Sequence, residues 1–418
     1  MMYRIFIAII STIAPCVVSA QISMDEYCER VVAYCHELQD AQYETQGARE
    51  RELVARKDYL PLFDLVREVN VDMRTPSVGR RWNWLTRLDV SQPIFRGGGV
   101  RAEAKRAELV YDIAQLNQES VRLFTIYTAQ VTYWALSRAE NNYDAMCYYV
   151  AIVRSLRDVV EERFREGYIS KSDLLQVESR LSDAEYQLSN AKQQLEIARH
   201  NFNMLMGLDP MSQVSISESI LESVDMPVRE GVESILARHP DIESSRLNIE
   251  HAFWGVRAVQ ANYLPQIEVG VYGLFQPNTP HTKGGGSRLD GGLLISFSTP
   301  IYHFGQRKHA VSAARSDYLR RVNAQSSVVD RITLDESDTW TNLTLTHERV
   351  ATAQRNLAIA QENLEISTYA YSEGLVTILD VLQAQLSWLQ IYNNAIAAQY
   401  DYAVAVVAYD YITCKSLR

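Results

Sequence analysis

The segment PIFRGGGVRAEAKRA (Pro93–Ala107) returns as PIYHFGQRKHAVSAA (Pro300–Ala314), and that return decides how the chain is read. Pro93-Ile94-Phe95 meets Pro300-Ile301-Tyr302 at an offset of 207, and Gly98 meets Gly305, Arg101 meets Lys308 and Ala107 meets Ala314. Far downstream, Glu166-Gly167 meets Glu373-Gly374, Asp173 meets Asp380 and Leu175-Gln176 meets Leu382-Gln383, so the offset holds over more than 80 residues. Upstream, Tyr59-Leu60-Pro61 meets Tyr263-Leu264-Pro265 at offset 204. Constant spacing over such a span marks an internal repeat. The chain reads as two copies, 21–206 and 228–414, joined by 207–227 and followed by a short tail, 415–418.

Outward from the repeat lie four stretches without Gly or Pro: Val100–Glu166, Tyr168–Met206, Gln306–Glu373 and Leu375 to the end. They are rich in Ala, Leu, Gln, Glu and Arg, which favour helix. A stretch of about 66 residues would reach about 100 Å as one helix, so it must lie against neighbours along its length. A seam shows how. Leu174, Val177, Leu181, Ala184, Leu188, Ala191, Leu195, Ala198, Phe202 and Leu205 step by three and four. The second copy repeats it as Val381, Ala384, Trp388, Ile391, Ala395, Ala398, Tyr402, Ala405, Tyr409 and Ile412. Such heptads predict side-by-side, left-handed packing, with the aromatics as packing residues.

Between the helices the period changes to two. Phe63, Leu65, Val69, Val71 and Met73 alternate with Asp64, Glu68, Asn70 and Asp72, and Trp82, Trp84, Leu88 and Val90 with Asn83, Arg87 and Asp89. Ile267, Val269, Val271 and Phe275 form one face of a third segment; Leu289, Leu293, Ile295 and Phe297 oppose Asp290, Ser296 and Ser298 in a fourth. Alternation predicts strands, each long enough to cross a bilayer when tilted. Each copy is therefore short helix, strand, loop, strand, long helix, turn, long helix, with the long helices on one side of the hairpins. Four strands cannot close a membrane barrel, but three chains would pool twelve around a lumen. The polar faces, with Asp64, Glu68, Asp72 and Asp89, are expected to line that lumen.

The remaining composition fits. A net charge of −10 argues against nucleic-acid binding, which needs a basic face. Residues 1–20 carry Arg4, an apolar run and Val18-Ser19-Ala20, the layout of a secretory signal cleaved after Ala20. Cys16 is expected to leave with it; the small-residue box of a lipidated cysteine is poorly matched. Cys28, Cys35, Cys147 and Cys414 read as small apolar fillers and not as a disulfide framework. No later run of 18 apolar residues predicts a spanning helix.

With hairpins ending in Gln92-Pro93-Ile94-Phe95 and Thr299-Pro300-Ile301-Tyr302, and turns RFREGYISKSDLLQ (Arg163–Gln176) and YAYSEGLVTILDVLQ (Tyr369–Gln383), the chain resembles the TolC-like outer-membrane efflux proteins over essentially its whole mature length. The resemblance implies a mainly α fold with β: duplicated long-helix hairpins forming a trimeric helical tunnel joined to a shared twelve-stranded barrel. It implies an outer-membrane location with the helices in the periplasm. Its partners would be two more copies, outer-membrane lipid, a periplasmic adaptor (membrane fusion) protein and an inner-membrane transporter, with no cofactor. The turns at Glu166-Gly167 and Glu373-Gly374 would be the periplasmic tips that meet the adaptor. Asp380 would ring the closed entrance; the family's second entrance aspartate aligns with Gln383. Asp173, with Ser172, and Tyr371 would latch the closed state, while a family arginine of that latch aligns with Val376. Helix N-capping is the plain alternative for Asp173 and Asp380, and both roles can hold together.

No chemistry competes with this. The eight histidines form no ligand spacing, and His303 and His309 read as surface residues. Gly97-Gly98-Gly99 lacks the Lys-Ser/Thr of a phosphate loop. The chain is read as a passive duct and not an enzyme, serving an efflux or type I secretion system. The rival, a periplasmic coiled-coil adaptor or scaffold, leaves the four alternating segments without a purpose.

Overall fold

A computed structural model describes residues 21–71, 82–222, 224–276 and 287–415. The signal segment and Asp72 lie outside the described residues. In chain order the elements are β1 (Gln21–Ile22), α1 (Met24–Tyr34), α2 (His36–Lys57), β2 (Leu62–Val71), β3 (Trp82–Arg96), α3 (Gly99–Arg165), α4 (Lys171–Leu205), β4 (Ser215–Ile216), α5 (Val232–Arg238), α6 (Pro240–Ala261), β5 (Gln266–Gln276), β6 (Arg288–Ser298), α7 (Gln306–Ser372) and α8 (Ile378–Ile412). α3 and α7 each run 67 residues, and α4 and α8 each run 35. None of the described helices is long and apolar enough to cross a membrane.

Two compact units form, and each draws on both sequence copies. Among the described residues the first takes 21–35, 124–229 and 338–411. The heptad seam runs through its apolar core: every seam residue of α4, and of α8 as far as Tyr409, is buried or half-buried. Tyr27 stacks on Phe202 at 4.0 Å between ring centroids, fixing α1 to the end of α4. A pairing that alternation could not reveal holds the joint: β1 and β4 pair in parallel over two residues, Gln21 with Ser215 and Ile22 with Ile216. Beside it the Tyr133 hydroxyl accepts from the amides of Ser217 and Glu218, each at 3.2 Å, and donates to the Glu218 carboxylate. Burial, first, and the Glu218 carboxylate push this phenol up to about 12.

Among the described residues the second unit takes 36–123, 230–337 and 412–415. Its centre is one antiparallel sheet ordered β2-β3-β5-β6. β2 pairs β3 with Leu62 opposite Ser91, and β5 pairs β6 with Gln266 opposite Ser298. These are the same register once the repeat offsets are applied, so the two hairpins are structural copies as well as sequence copies. Strand β3 extends beyond the alternating segment Trp82–Val90 to Arg96, because Phe95 and Arg96 pair with Ile267 and Gln266. A bulge between Pro93 and Phe95 breaks the period of two there and hides that extension from a pattern reading.

Cys28, Cys35, Cys147 and Cys414 are free thiols. Cys35 caps α1, where the chain breaks before α2, so the two N-terminal cysteines do not share one helix.

Candidate functional site

The two turns that join long helices, α3 to α4 and α7 to α8, are built alike. Gly167 and Gly374 take φ of 82° and 74°, a left-handed state that glycine adopts without a Cβ clash. Tyr168 N–H then reaches the Arg163 carbonyl at 2.9 Å, and Leu375 N–H reaches the Ala370 carbonyl at 2.8 Å. Both helices thus close with the same capped C-terminus. Glu166, Gly167, Glu373 and Gly374 are exposed, as are Tyr168 and Leu375 beside them. Each turn offers one exposed carboxylate and one large exposed side chain, chemistry that suits protein contact.

The next helices begin with matched caps. Ser170 caps α4: its hydroxyl accepts from the Asp173 amide, while the Asp173 carboxylate accepts from the Ser170 amide at 3.2 Å and hydroxyl at 2.9 Å. In α8 the Asp380 carboxylate accepts from the Thr377 amide at 2.8 Å and hydroxyl at 2.6 Å. Those two bonds hold the Asp380 carboxyl below the usual aspartate range, the side-chain bond first. The capping alternative is therefore realised at both positions. Capping does not consume Asp380 as a charge: it is exposed, and Gln383 is exposed one turn later on the same helix face.

The expected latch residues gather without making the expected bond. Tyr371 is buried in an apolar cluster with Leu156, Val160, Val177, Ile378, Val381 and Leu382, and its hydroxyl has no hydrogen-bond partner. Burial raises its pKa, Arg163 opposes that, and the nearby Asp173 charge adds to it. Asp173 turns its oxygens to Ser170 instead. Ser172 is exposed at the start of α4. Val376, where the family arginine would stand, packs half-buried on the cluster.

Sequence reasoning passed over the residue that bridges the two turns. Arg163, in the last turn of α3, donates to the carbonyls of Tyr371 at 3.1 Å and Ser372 at 2.8 Å, and its guanidinium lies 4.8 Å from the centre of the Tyr371 ring. A cation at the C-terminus of α7 also meets the negative end of that helix. The repeat does not single it out: Arg163, Arg165 and Lys171 all meet uncharged copies, Ala370, Ser372 and Ile378, at the offset of 207.

At the sheet, Asp64 stands opposite Asp89, on one face with Glu68. Two cations share this polar side: Arg87 Nε donates to Asp89 at 2.7 Å, and Arg288 pairs with Asp290 at 2.7 Å. The face is of mixed charge, less acidic than the four carboxylates alone suggest. The opposite face is apolar and exposed, with Phe63, Leu65, Val69, Leu293, Ile295 and Phe297 all more than half exposed. Arg67 lies over Trp84 on it, 4.6 Å from the ring centre. His303 and His309 are exposed, and among the described residues no group of His, Cys, Asp and Glu could hold a metal ion.

The model of the family "Outer membrane efflux protein" matches residues 30–208 and 231–410. Toxin and drug export protein A of Aggregatibacter actinomycetemcomitans is 22% identical over 312 residues, 71% of this chain and 66% of that protein, just under two thirds of its length. Outer membrane efflux protein BepC of Brucella suis is 23% identical over 345 residues, 80% of this chain and 73% of that one. Among solved structures, the Campylobacter jejuni outer membrane channel CmeC superposes with a TM-score of 0.81 at 20% identity, covering 93% of this chain and 85% of that one. VceC of Vibrio cholerae superposes with a TM-score of 0.78 at 18% identity, covering 93% and 95%.

Proposed function

The chain belongs to the outer membrane efflux protein family, and from that premise we propose that it is the exit duct of a tripartite efflux or type I secretion system, fed by an inner-membrane transporter through a periplasmic adaptor. Its frame is that of the family: an outer-membrane channel with a helical extension in the periplasm, a conduit without a catalytic step. The family implies a trimeric channel that works with efflux partners. One observation carries the reading to this chain. A four-stranded sheet with one exposed apolar face and one polar face is followed, after each of its two hairpins, by a 67-residue helix. Lipid suits the first face and a water-filled lumen the second.

The tips supply the gate. Three copies of Asp380 around a narrow aperture would favour cations and could hold a plugging cation. Glutamine at 383 leaves this ring single, which weakens such a block. Asp173 and Tyr371, close enough for the Asp173 charge to act on the phenol, would latch the closed tips; Glu166, Gly167, Glu373 and Gly374 would meet the adaptor, whose contacts favour the open state. The test is Asp380→Ala in the reconstituted channel. Cation selectivity and divalent block should both fall. Unchanged selectivity and block would remove Asp380 from the entrance and leave it a helix cap.

A further inference from the structure

The base of the second copy, where β6 gives way to α7, differs in charge from the base of the first. The start of α3 carries Arg101, Lys105 and Arg106 together with Glu103 and Glu108. Those charges largely neutralise one another. Lys105 meets Glu108 at 2.6 Å, Arg106 meets Glu103 at 2.9 Å, and Arg56 of α2 reaches Glu108 at 3.6 Å. At the repeat offsets the acids are gone: Glu103 becomes Ala310, Glu108 becomes Arg315, and Arg56 becomes Gln260. Arg307, Lys308 and Arg315 remain, and from Gly291 to Ser316 the chain holds no Asp or Glu. All three cations are exposed, and none makes an ion pair among the described residues.

These cations line a cleft of about 680 Å³ between the end of α6 and the start of α7, with Gln260, Tyr263 and Tyr302 as further walls. Beside it Ile301, Tyr302 and Phe304 are 92%, 72% and 88% exposed. The Tyr302 and Phe304 rings meet edge to face, 4.8 Å between centroids. Phe304 holds its ring in the open on a left-handed backbone, φ 47°, which bulky residues rarely adopt. Its counterpart Gly97 packs on α6 so closely that a Cβ would lie 2.6 Å from the Ala261 carbonyl oxygen. The first copy thus closes this corner with a glycine and internal ion pairs. The second leaves it open, with rings and unpaired cations side by side.

The order of these groups matches a bilayer. Phe297, on the apolar sheet face, stands opposite Ile267. Phe95, whose copy is Tyr302, also stands opposite Ile267, so by the repeat Tyr302 prolongs that face toward α7. Apolar strand, aromatic pair and then cations is the succession met on passing from hydrocarbon through the interface to a charged headgroup. The long helices lie in the periplasm, which sets the cations at the periplasmic leaflet.

We propose that this cleft binds the headgroup of an anionic phospholipid of the periplasmic leaflet, with Arg307, Lys308 and Arg315 supplying the positive field and Ile301, Tyr302 and Phe304 lying against the acyl chains. The proposal rests on the outer-membrane channel reading and adds to it a lipid-selective site in each chain. Charge complementarity selects the headgroup: a zwitterionic lipid brings its own cation, an anionic one does not. The rings select the source, because a free phosphate would leave Phe304 in water.

Native mass spectrometry of the full chain in non-ionic detergent tests this, with phosphatidylglycerol as the anionic probe and phosphatidylcholine of the same acyl chains as the reference. Each cation near an anionic lipid strengthens binding by about fivefold. Wild type should therefore hold one phosphatidylglycerol per chain with about a hundredfold preference, and added salt should weaken it. R307Q/K308Q/R315Q should abolish the preference, and R315Q alone should lower it by about fivefold. R101Q/K105Q/R106Q removes the same charge from the first copy and should leave the preference intact. The unfolding midpoint of each variant without lipid shows whether it folds, and R315Q carries the test if the triple variant does not. Glycerol phosphate, which lacks the chains, should not displace the lipid at equal concentration. A preference unchanged in R315Q, an equal loss in the first-copy variant, or displacement by glycerol phosphate overturns the site while leaving the channel reading intact. A wild-type chain that stays in solution without detergent overturns both.

Discussion

Asp380 shows how one side chain can serve local structure and function together. Its carboxylate ties down Thr377 at the start of α8 and still faces solvent. Because those bonds lower its pKa, the charge survives at pH values where an ordinary aspartate is half protonated. The sign follows: its stabilising bonds are fully present at neutral pH and are lost as pH falls through the lowered folded value. Cation selectivity of the channel, measured by reversal potential against pH, should therefore persist through mildly acidic pH and fade only below the usual aspartate range. Fading well above that range would detach selectivity from Asp380. Arg163 makes a second prediction at this scale. Arg163→Ala removes two charge-assisted bonds to the end of α7 and should cost about 1.5–3 kcal/mol of tip stability. Faster amide exchange confined to the α7–α8 turn would report it. Arg163→Lys should restore little, since one ammonium cannot reproduce the fork over Tyr371. Uniform exchange in all variants would contradict the bridging role.

At the scale of elements, caps and strand edges carry the testable content. Ser170→Ala should destabilise the start of α4 by about 0.5–2 kcal/mol, seen as a lower midpoint in chemical denaturation. An unchanged midpoint would mean that the Asp173–Ser170 bonds contribute nothing net. Asp173→Ala combined with Tyr371→Phe should raise leak conductance if the pair latches the tips; an unchanged leak leaves Asp173 a cap alone. The helices were legible because scarce Gly and Pro and an unbroken three–four seam are strong local signals. The strands were legible from alternation, except where the Pro93 bulge reset the parity and hid Ser91–Arg96. The parallel pair β1–β4 was not legible, because two residues carry no period and their partner lies far along the chain. At the candidate site the glycine turns and both aspartates were found through the repeat. Arg163 was missed because its partners are backbone carbonyls on a distant helix end, which leave no trace in side-chain pattern.

At the scale of the whole molecule, duplication explains the design. One hairpin register and one capped turn are each used twice within the chain. The few Gly and Pro residues fall mainly in hairpins, turns and the joint, which leaves four helices uninterrupted. A sheet with one exposed apolar face and two open edges is incomplete in a single chain, and the trimeric channel that the family implies would complete it. The most direct test of the account is single-channel recording of the purified chain in a planar lipid bilayer. The account predicts discrete, cation-preferring conductance steps from a species with the mass of three chains. A chain that leaves the membrane fraction without detergent and adds no conductance to the bilayer would contradict it.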